Sequence, residues 1–329
     1  KYSIKKIKKV MNKFSNIIGQ SPLLESVIRS AQMIAFSDVG ILIKGPTGTG
    51  KEILATAIQQ SGPRAERPFI KINCATLPEG IVESELFGHK KGAFTGADTD
   101  KKGLLQAAHN GTLFLDEIDS LGLSVQAKLL RFLETGECLP VGSSQALTLD
   151  VRVISATNSN LDDKIKQGLF RSDLFFRLNI VPLELPALNQ RTEDIEDLCA
   201  FYLKKFASQY GVQDSKFSTL SLKQLRRYSW PGNIRELKNL CERVGVLLPG
   251  KTIEPENLPK EFVSGLTAQH KGNISILPEA GINLDALEAD LIHQALTRTN
   301  GNRSKSARLL GISRDTLLYR IQKHALGTR

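Results

Sequence analysis

The residues whose types and spacing are best suited to chemistry are the run Gly45-Pro46-Thr47-Gly48-Thr49-Gly50-Lys51 and the acidic pair Asp116-Glu117. Glycines between an apolar run and a helical pattern let backbone N–H groups turn inward around phosphates, and Lys51 adds a point charge for the terminal ones. The hydroxyl residue that usually follows the lysine, and would reach Mg2+, is replaced by Glu52. A metal must then rely on other ligands, and Asp116 is the natural source. Beside a phosphate loop, Asp116 would hold Mg2+ through its water shell and Glu117 would orient and deprotonate the attacking water. Asn158 adds a polar amide at the end of another strand, where a γ-phosphate or a water could be sensed. Alone, it would be an ordinary loop asparagine.

These groups need a scaffold that brings distant strand ends together. Five apolar runs serve: GILIKG at 40–45, FIKINC at 69–74, TLFLDEI at 112–118, VRVISATN at 151–158 and IVPLEL at 180–185. Separated by helical patterns and apolar throughout, they predict an α/β domain with a mainly parallel sheet buried on both faces, over residues 15–186. The strand signals stop after Pro186. Ile195, Leu198, Tyr202 and Phe206 then recur at helical spacing, and a further helix follows the WPGN turn at 230–233, which gives a helical lid over 187–262. The stretch 263–283 is rich in Gly, Ser, Thr and Asn and reads as a linker, and residues 1–14 read as a basic arm. The lack of Met at position 1 is taken as the mark of a trimmed chain.

The last module, 284–329, carries its own signal. From Thr297 onward there are eight Lys and Arg against one acid, Asp315. The run NRSKSARLLGISRDTLLYRIQK reads as two helices around Gly311-Ile312, with Ala307, Leu310, Ile312, Leu317 and Ile321 inward and Ser313 capping the second. Arg303 and Lys305 are basic groups of the first helix. Arg314, Thr316, Tyr319, Arg320 and Lys323 are left for base edges and phosphates in a major groove. The formal charge of +10 invites a polyanion, although its placement decides more than its sum. The four cysteines are scattered and form no CxxC pair, so buried reduced thiols are expected rather than a metal cluster or a disulfide framework. No apolar run is long enough to cross a bilayer and no secretion leader is visible, so cytoplasmic work and no membrane partner are expected.

Taken in order, GPTGTGKE, ELFGHKKGAFTGA, GTLFLDEI, FRSDLFFRLN and WPGNIRELKN resemble the NtrC-like activators of sigma-54-dependent transcription. The resemblance runs from about Phe14 to Leu258, then through roughly the last 45 residues, where it is to the Fis-type helix-turn-helix domain. Glu52 is the norm in that family, and the complete GAFTGA at 92–97 is its most specific element. The resemblance implies an AAA+ P-loop NTPase using ATP and Mg2+, with a helical lid and a separate all-α DNA-binding domain. It implies that Gly45 to Lys51, with Glu52, line the nucleotide and that Asn73 restrains Glu117. It makes Asn158 the first sensor, Arg235 the second, and Arg171 and Arg177 fingers that reach a neighbouring subunit's γ-phosphate. Trans-acting fingers require a homo-oligomer, from dimers up to a hexameric ring. Phe94 and Thr95 become the contact with the sigma-54 RNA polymerase holoenzyme, and the last domain binds enhancer DNA with 284–296 as dimerising helices. One departure is Pro140-Val141-Gly142, where the family commonly has Arg-Val-Gly, which puts that arginine's intersubunit role in doubt. Two other readings compete: a nucleotide-regulated DNA-binding repressor of the same architecture, and a general AAA+ unfoldase or DNA translocase. The intact GAFTGA argues against the first, and the terminal helix-turn-helix against the second.

Overall fold

Five strands, β1 (Ile41–Lys44), β2 (Phe69–Asn73), β3 (Thr112–Asp116), β4 (Arg152–Thr157) and β5 (Val181–Glu184), form one parallel sheet in the order β2-β3-β4-β1-β5. The computed structural model describes residues 13–263, 284–299 and 301–324. The chain divides into two compact units, Lys1–Leu266 and Thr267–Arg329. The predicted linker over 264–283 and most of the basic arm lie outside the described residues. Phe14, the last residue read as part of that arm, is buried in the core of the first unit.

Alternation along β1 explains why its run is apolar throughout. Ile41 and Ile43 join Leu54 and Ile58 of α2 (Lys51–Ser61) and Leu24 of α1 (Pro22–Ile34) on one face of the sheet. Leu42 points the other way, into Leu113, Leu115, Val153 and residues of α3 (Leu123–Thr135) and α4 (Ser172–Leu178). Truncating one such buried aliphatic side chain costs about 2–5 kcal/mol. β2 and β5 are edge strands and only partly buried. The register sets Asn73 beside Asp116 and Lys44 beside Thr157, so the polar residues gather at the carboxyl ends of the strands, where open α/β sheets bind ligands.

The lid is built on α5 (Asp194–Tyr210) packed against α6 (Asn233–Leu247) around Trp230, Leu237 and Phe206. The lid is helical, as expected, with one short parallel ladder added where Lys216–Phe217 pairs with Thr252–Ile253. Two residues per strand are too few for a periodicity to be seen in the sequence. Cys74, Cys138, Cys199 and Cys241 are all free and buried, and burial pushes the Cys74 thiol up to about 12.

The second unit contains α7 (Leu284–Arg298), α8 (Arg303–Leu309) and α9 (Arg314–Lys323). Ile292, Ala307 and Leu317 are its buried centre, with Leu296, Leu310, Ile312 and Ile321 against them. Gly311 turns the chain between α8 and α9 at φ 67°, a left-handed angle that favours glycine. Asn302 and Ser313 cap the two helices, accepting from the backbone N–H of Lys305 and Thr316.

Candidate nucleotide site and partner loops

The loop between β1 and α2 holds Gly48 and Gly50 in left-handed conformations, at φ 81° and 101°. A side chain on Gly48 would run into the backbone oxygen of Gly232 in the lid, so the close approach of lid to loop needs glycine there. Lys51 begins α2 and is 8% exposed, its Nζ donating to the carbonyl oxygens of Gly45 and Pro46 at 2.7 and 3.3 Å. Burial lowers the pKa of its ammonium, and the fields of Asp116 and Glu117 work in the opposite direction. Lys51 is thus folded back on its own loop, with an acidic pair facing it.

That pair ends β3. Glu117 takes a left-handed backbone at φ 52° and donates its N–H to Asp116 Oδ1 at 3.0 Å. Both carboxylates line a cleft of 310 Å³ with Thr47, Lys51, Arg235 and Lys238. The loop, the acidic pair and Arg235 therefore come together, as expected for a phosphate and an attacking water held between them. Asp116 keeps its second oxygen and sits in the cleft, so the donor set fits a divalent cation bound through water. Glu52 also lines this cleft, with its carboxylate 3.0 Å from Lys71 Nζ.

The Asn158 amide donates to Thr47 Oγ1 at 2.8 Å, which ties the end of β4 to the loop. The Asn73 side chain accepts from the N–H of Ala75 at 2.9 Å, and among the described residues it makes no hydrogen bond to Glu117. Arg171 pairs with Asp173 at 2.7 Å, and Arg177 donates to the Leu133 carbonyl at 2.7 and 3.1 Å. Both arginines are exposed and neither lines its own chain's cleft.

Sequence reasoning missed Asp119, Asn233 and a second, narrow cleft. Asp119 is 8% exposed and accepts from Thr157 and Ser159 at 2.7 Å each, with Lys164 Nζ at 2.8 Å. Burial alone would raise its carboxyl; the Lys164, Ser159 and Thr157 contacts outweigh this and hold it below the usual range. Its place three residues after Asp116 was the available signal. Asn233 donates to the Thr47 carbonyl at 2.9 Å and accepts from the N–H of Leu188 at 2.8 Å. The narrow cleft, walled by Ile17, Ile18, Ile53, Leu198 and Ile234, opens beside Thr49 and Gly50.

The GAFTGA segment is a closed turn, with the Gly92 N–H on the Ala97 carbonyl at 2.8 Å. Asp100 fixes its base, taking Lys90 Nζ at 2.6 Å and the N–H of Lys91 at 2.8 Å. Phe94 remains 45% exposed, its ring edge-on to His89 at 4.9 Å, and Thr95 is exposed. Pro140 is buried, and the Val141 carbonyl accepts from the N–H of Lys90 at 2.9 Å, so the Pro-Val-Gly segment packs beneath this loop.

In the second unit Arg303, Lys305, Arg314 and Tyr319 are exposed. Arg320 and Lys323, expected to be free, are instead ion-paired to Glu288 and Asp285 of α7. A charge count that starts at Thr297 leaves out Asp285 and Glu288, the acids near the start of α7. Thr316 is half-buried, and its hydroxyl lies 2.7 Å from that of Ser313.

Residues 17–184 match the family model described as the sigma-54 interaction domain. Residues 189–274 match the AAA+ ATPase lid domain, and 283–324 match the bacterial regulatory protein, Fis family. The regulatory protein AtoC of Escherichia coli K12 is 42% identical over 317 residues, covering 95% of this chain and 68% of AtoC. The chain belongs to the NtrC-like sigma-54-dependent transcriptional activators. The transcriptional regulator NtrC of Proteus hauseri is 38% identical, over 95% of the activator and 71% of NtrC. The crystal structure of NtrX from Brucella abortus in complex with ATP superposes with a TM-score of 0.71 at 33% identity, covering 94% of the activator and 69% of NtrX. Among the described residues no helix is long and apolar enough to cross a membrane.

Glu117→Gln is expected to leave nucleotide binding within about twofold while lowering ATP turnover at least about 10²-fold, the scale of a lost general base. Steady-state turnover near that of the parent would remove Glu117 from the chemistry.

Proposed function

We propose that the activator is an ATP-hydrolysing motor that remodels the sigma-54 RNA polymerase closed complex into an open one. The observation that carries this reading is the acidic pair Asp116-Glu117 facing Lys51 across one cleft, in a chain that also exposes Phe94 and Thr95 on a braced turn. The match to the sigma-54 interaction domain and the ATP-bound NtrX relative support it.

In this mechanism the Gly45–Lys51 loop receives the triphosphate through its inward N–H groups and the Lys51 ammonium. Asp116 would hold Mg2+, which neutralises charge on the phosphoryl oxygens when bound. Glu117, held by its left-handed backbone, orients a water and takes its proton as the γ-phosphoryl is attacked. Asn158, joined to Thr47, and Arg235, on the first turn of α6, report the state of the phosphates to the sheet and the lid. Arg171 and Arg177 lie outside their own cleft, which supports action on a neighbour's nucleotide within a ring. Asn73 accepts from the Ala75 N–H through Oδ1, and its amide N–H groups are the donors that a restraint of Glu117 would use.

A docking role for Phe94 rests on its place in the exposed GAFTGA turn, since a single exposed aromatic needs no partner by itself. Enhancer DNA falls to the second unit, where Arg303, Lys305, Arg314 and Tyr319 are accessible and Thr316 lies on the same helix as Arg314. Arg320 and Lys323 would reach phosphates by exchanging Glu288 and Asp285 for them, at the cost of two ion pairs.

Arg177→Ala should abolish hydrolysis in rings that still assemble, because the finger serves the next subunit. Mixing these subunits with Lys51→Ala subunits should restore part of the ATPase rate. No recovery at any ratio, in rings verified as mixed, would contradict action in trans.

Thr95→Ala removes a hydroxyl and a methyl from an exposed turn and should change folding stability by less than about 0.5 kcal/mol. ATP binding and turnover should stay within about twofold of the parent, while retention of sigma-54 with an ATP transition-state analogue and promoter opening are both lost. Normal retention and opening by Thr95→Ala and Phe94→Ala alike would remove this loop from the interaction.

A further inference from the structure

The second unit gathers one imidazole and two carboxylates at a single point. Asp285 and Glu288 lie three residues apart on α7 and so share a face of that helix. His324, the residue after α9, brings its Nε2 to 2.8 Å from Glu288 Oε2. One ligand atom from each of the three residues lies within 4.8 Å of the others. The imidazole is the deciding member. Carboxylates meeting at a surface are common without a ligand, whereas here a nitrogen donor from another helix, its side chain only 9% exposed, is aimed at the same oxygens.

The same carboxylates engage the cations at the end of α9. Glu288 Oε1 pairs with Arg320 Nη1, and Asp285 Oδ1 lies 2.7 Å from Lys323 Nζ. Lys323 holds the Asp285 carboxyl below its usual range. Both cationic side chains remain substantially exposed, and ion pairs of that kind are weak. A divalent cation bonded to the imidazole and the carboxylates would neutralise the same charges through coordination bonds that ammonium and guanidinium groups cannot make. Imidazole nitrogen with carboxylate oxygen suits Zn2+, which accepts three protein ligands and completes its shell with water.

We propose that Asp285, Glu288 and His324 form a site for a divalent transition cation of the Zn2+ type, and that filling it frees Arg320 and Lys323 for DNA phosphates. The cation and the two side chains compete for one set of oxygens. The second half of the proposal rests on the DNA-binding reading above. Linkage makes the effect mutual: the cation strengthens DNA binding by the same factor by which DNA strengthens cation binding. Each newly neutralised phosphate steepens the fall of log K with log salt by about 0.9, so two freed side chains steepen it by about 1.8.

The test combines Zn2+ binding to the full chain, by competition with a chromophoric chelator, and binding of a mixed-sequence DNA duplex over a range of salt, by fluorescence anisotropy. The parent should bind one more Zn2+ per chain than His324→Gln. Zn2+ should tighten DNA binding by the parent about tenfold and steepen its salt dependence by about 1.8, while Mg2+ at the same concentration should not. The double variant Asp285→Asn/Glu288→Gln lacks the competing acids, so it should bind DNA without Zn2+ as tightly as the parent does with it, and Zn2+ should add nothing. Asp290→Asn removes another exposed acid of α7, one that accepts from Gln294 Nε2 at 2.9 Å, and should keep the full Zn2+ response. Equal Zn2+ counts for the parent and His324→Gln would overturn the site. A site that fills without changing DNA affinity or its salt dependence would overturn the release of Arg320 and Lys323. Absence of DNA binding by the parent at low salt, with and without Zn2+, would overturn the DNA-binding reading instead, and the Zn2+ count would still decide the site. Thermal melting identifies a double variant that does not fold, and Asp285→Asn alone, at the more exposed pair, then takes its place.

Discussion

Asn233 occupies a left-handed backbone angle, φ 51°, three residues after Trp230, which does the same at φ 51°. Two non-glycine residues in this region within one turn cost about 1–3 kcal/mol each. The surroundings over-determine them. Trp230 is buried and donates Nε1–H to the Leu225 carbonyl at 2.9 Å, the N–H of Gly232 goes to Glu236, and the amide of Asn233 bonds Thr47 and Leu188. The N–H of Ile234 completes the set on the Gly48 carbonyl at 3.0 Å. The lid holds the Thr47 and Gly48 carbonyls of the phosphate loop, while the N–H groups of Gly45 and Thr49 bond to Thr157 and Pro46. Without that grip, neither the cradle nor the placement of Arg235 over it would be defined.

The same economy of strain recurs at Glu117, whose left-handed backbone turns the carboxylate out of β3 and toward the cleft. Asp119 braces this corner against β4 through Thr157 and Ser159, which ties the strand carrying the acidic pair to the strand carrying Asn158. Under the proposed mechanism, a change at the γ-phosphate would be felt through Asn158 and Arg235 at once, in the sheet and in the lid. The partner loop is held differently. Lys90 and Asp100 are more than half exposed, so their ion pair contributes little and is screened by salt.

Much of this was legible in the sequence because it is local. β1, β3 and β4 are apolar on both faces and short, and the glycines of 45–50 precede a lysine on a helix. The acidic pair could be assigned from its place at the end of β3. What escaped was set by long-range pairing. Asn233 and Thr47 are distant in sequence, and nothing in WPGN says which carbonyl its asparagine will find. Arg191 reads as a surface arginine in a polar stretch, NQRTED, until the fold buries it. Arg320 and Lys323 looked free because the acids that engage them lie on α7, two helices earlier.

The most direct measurement is open-complex formation by the purified activator on a sigma-54 promoter, read as permanganate reactivity of the melted strand. With sigma-54 holoenzyme and ATP the account predicts melting near the start site, and none with ADP or a non-hydrolysable ATP analogue. Melting without a hydrolysable nucleotide, or none at any concentration of folded activator that turns over ATP, would contradict it.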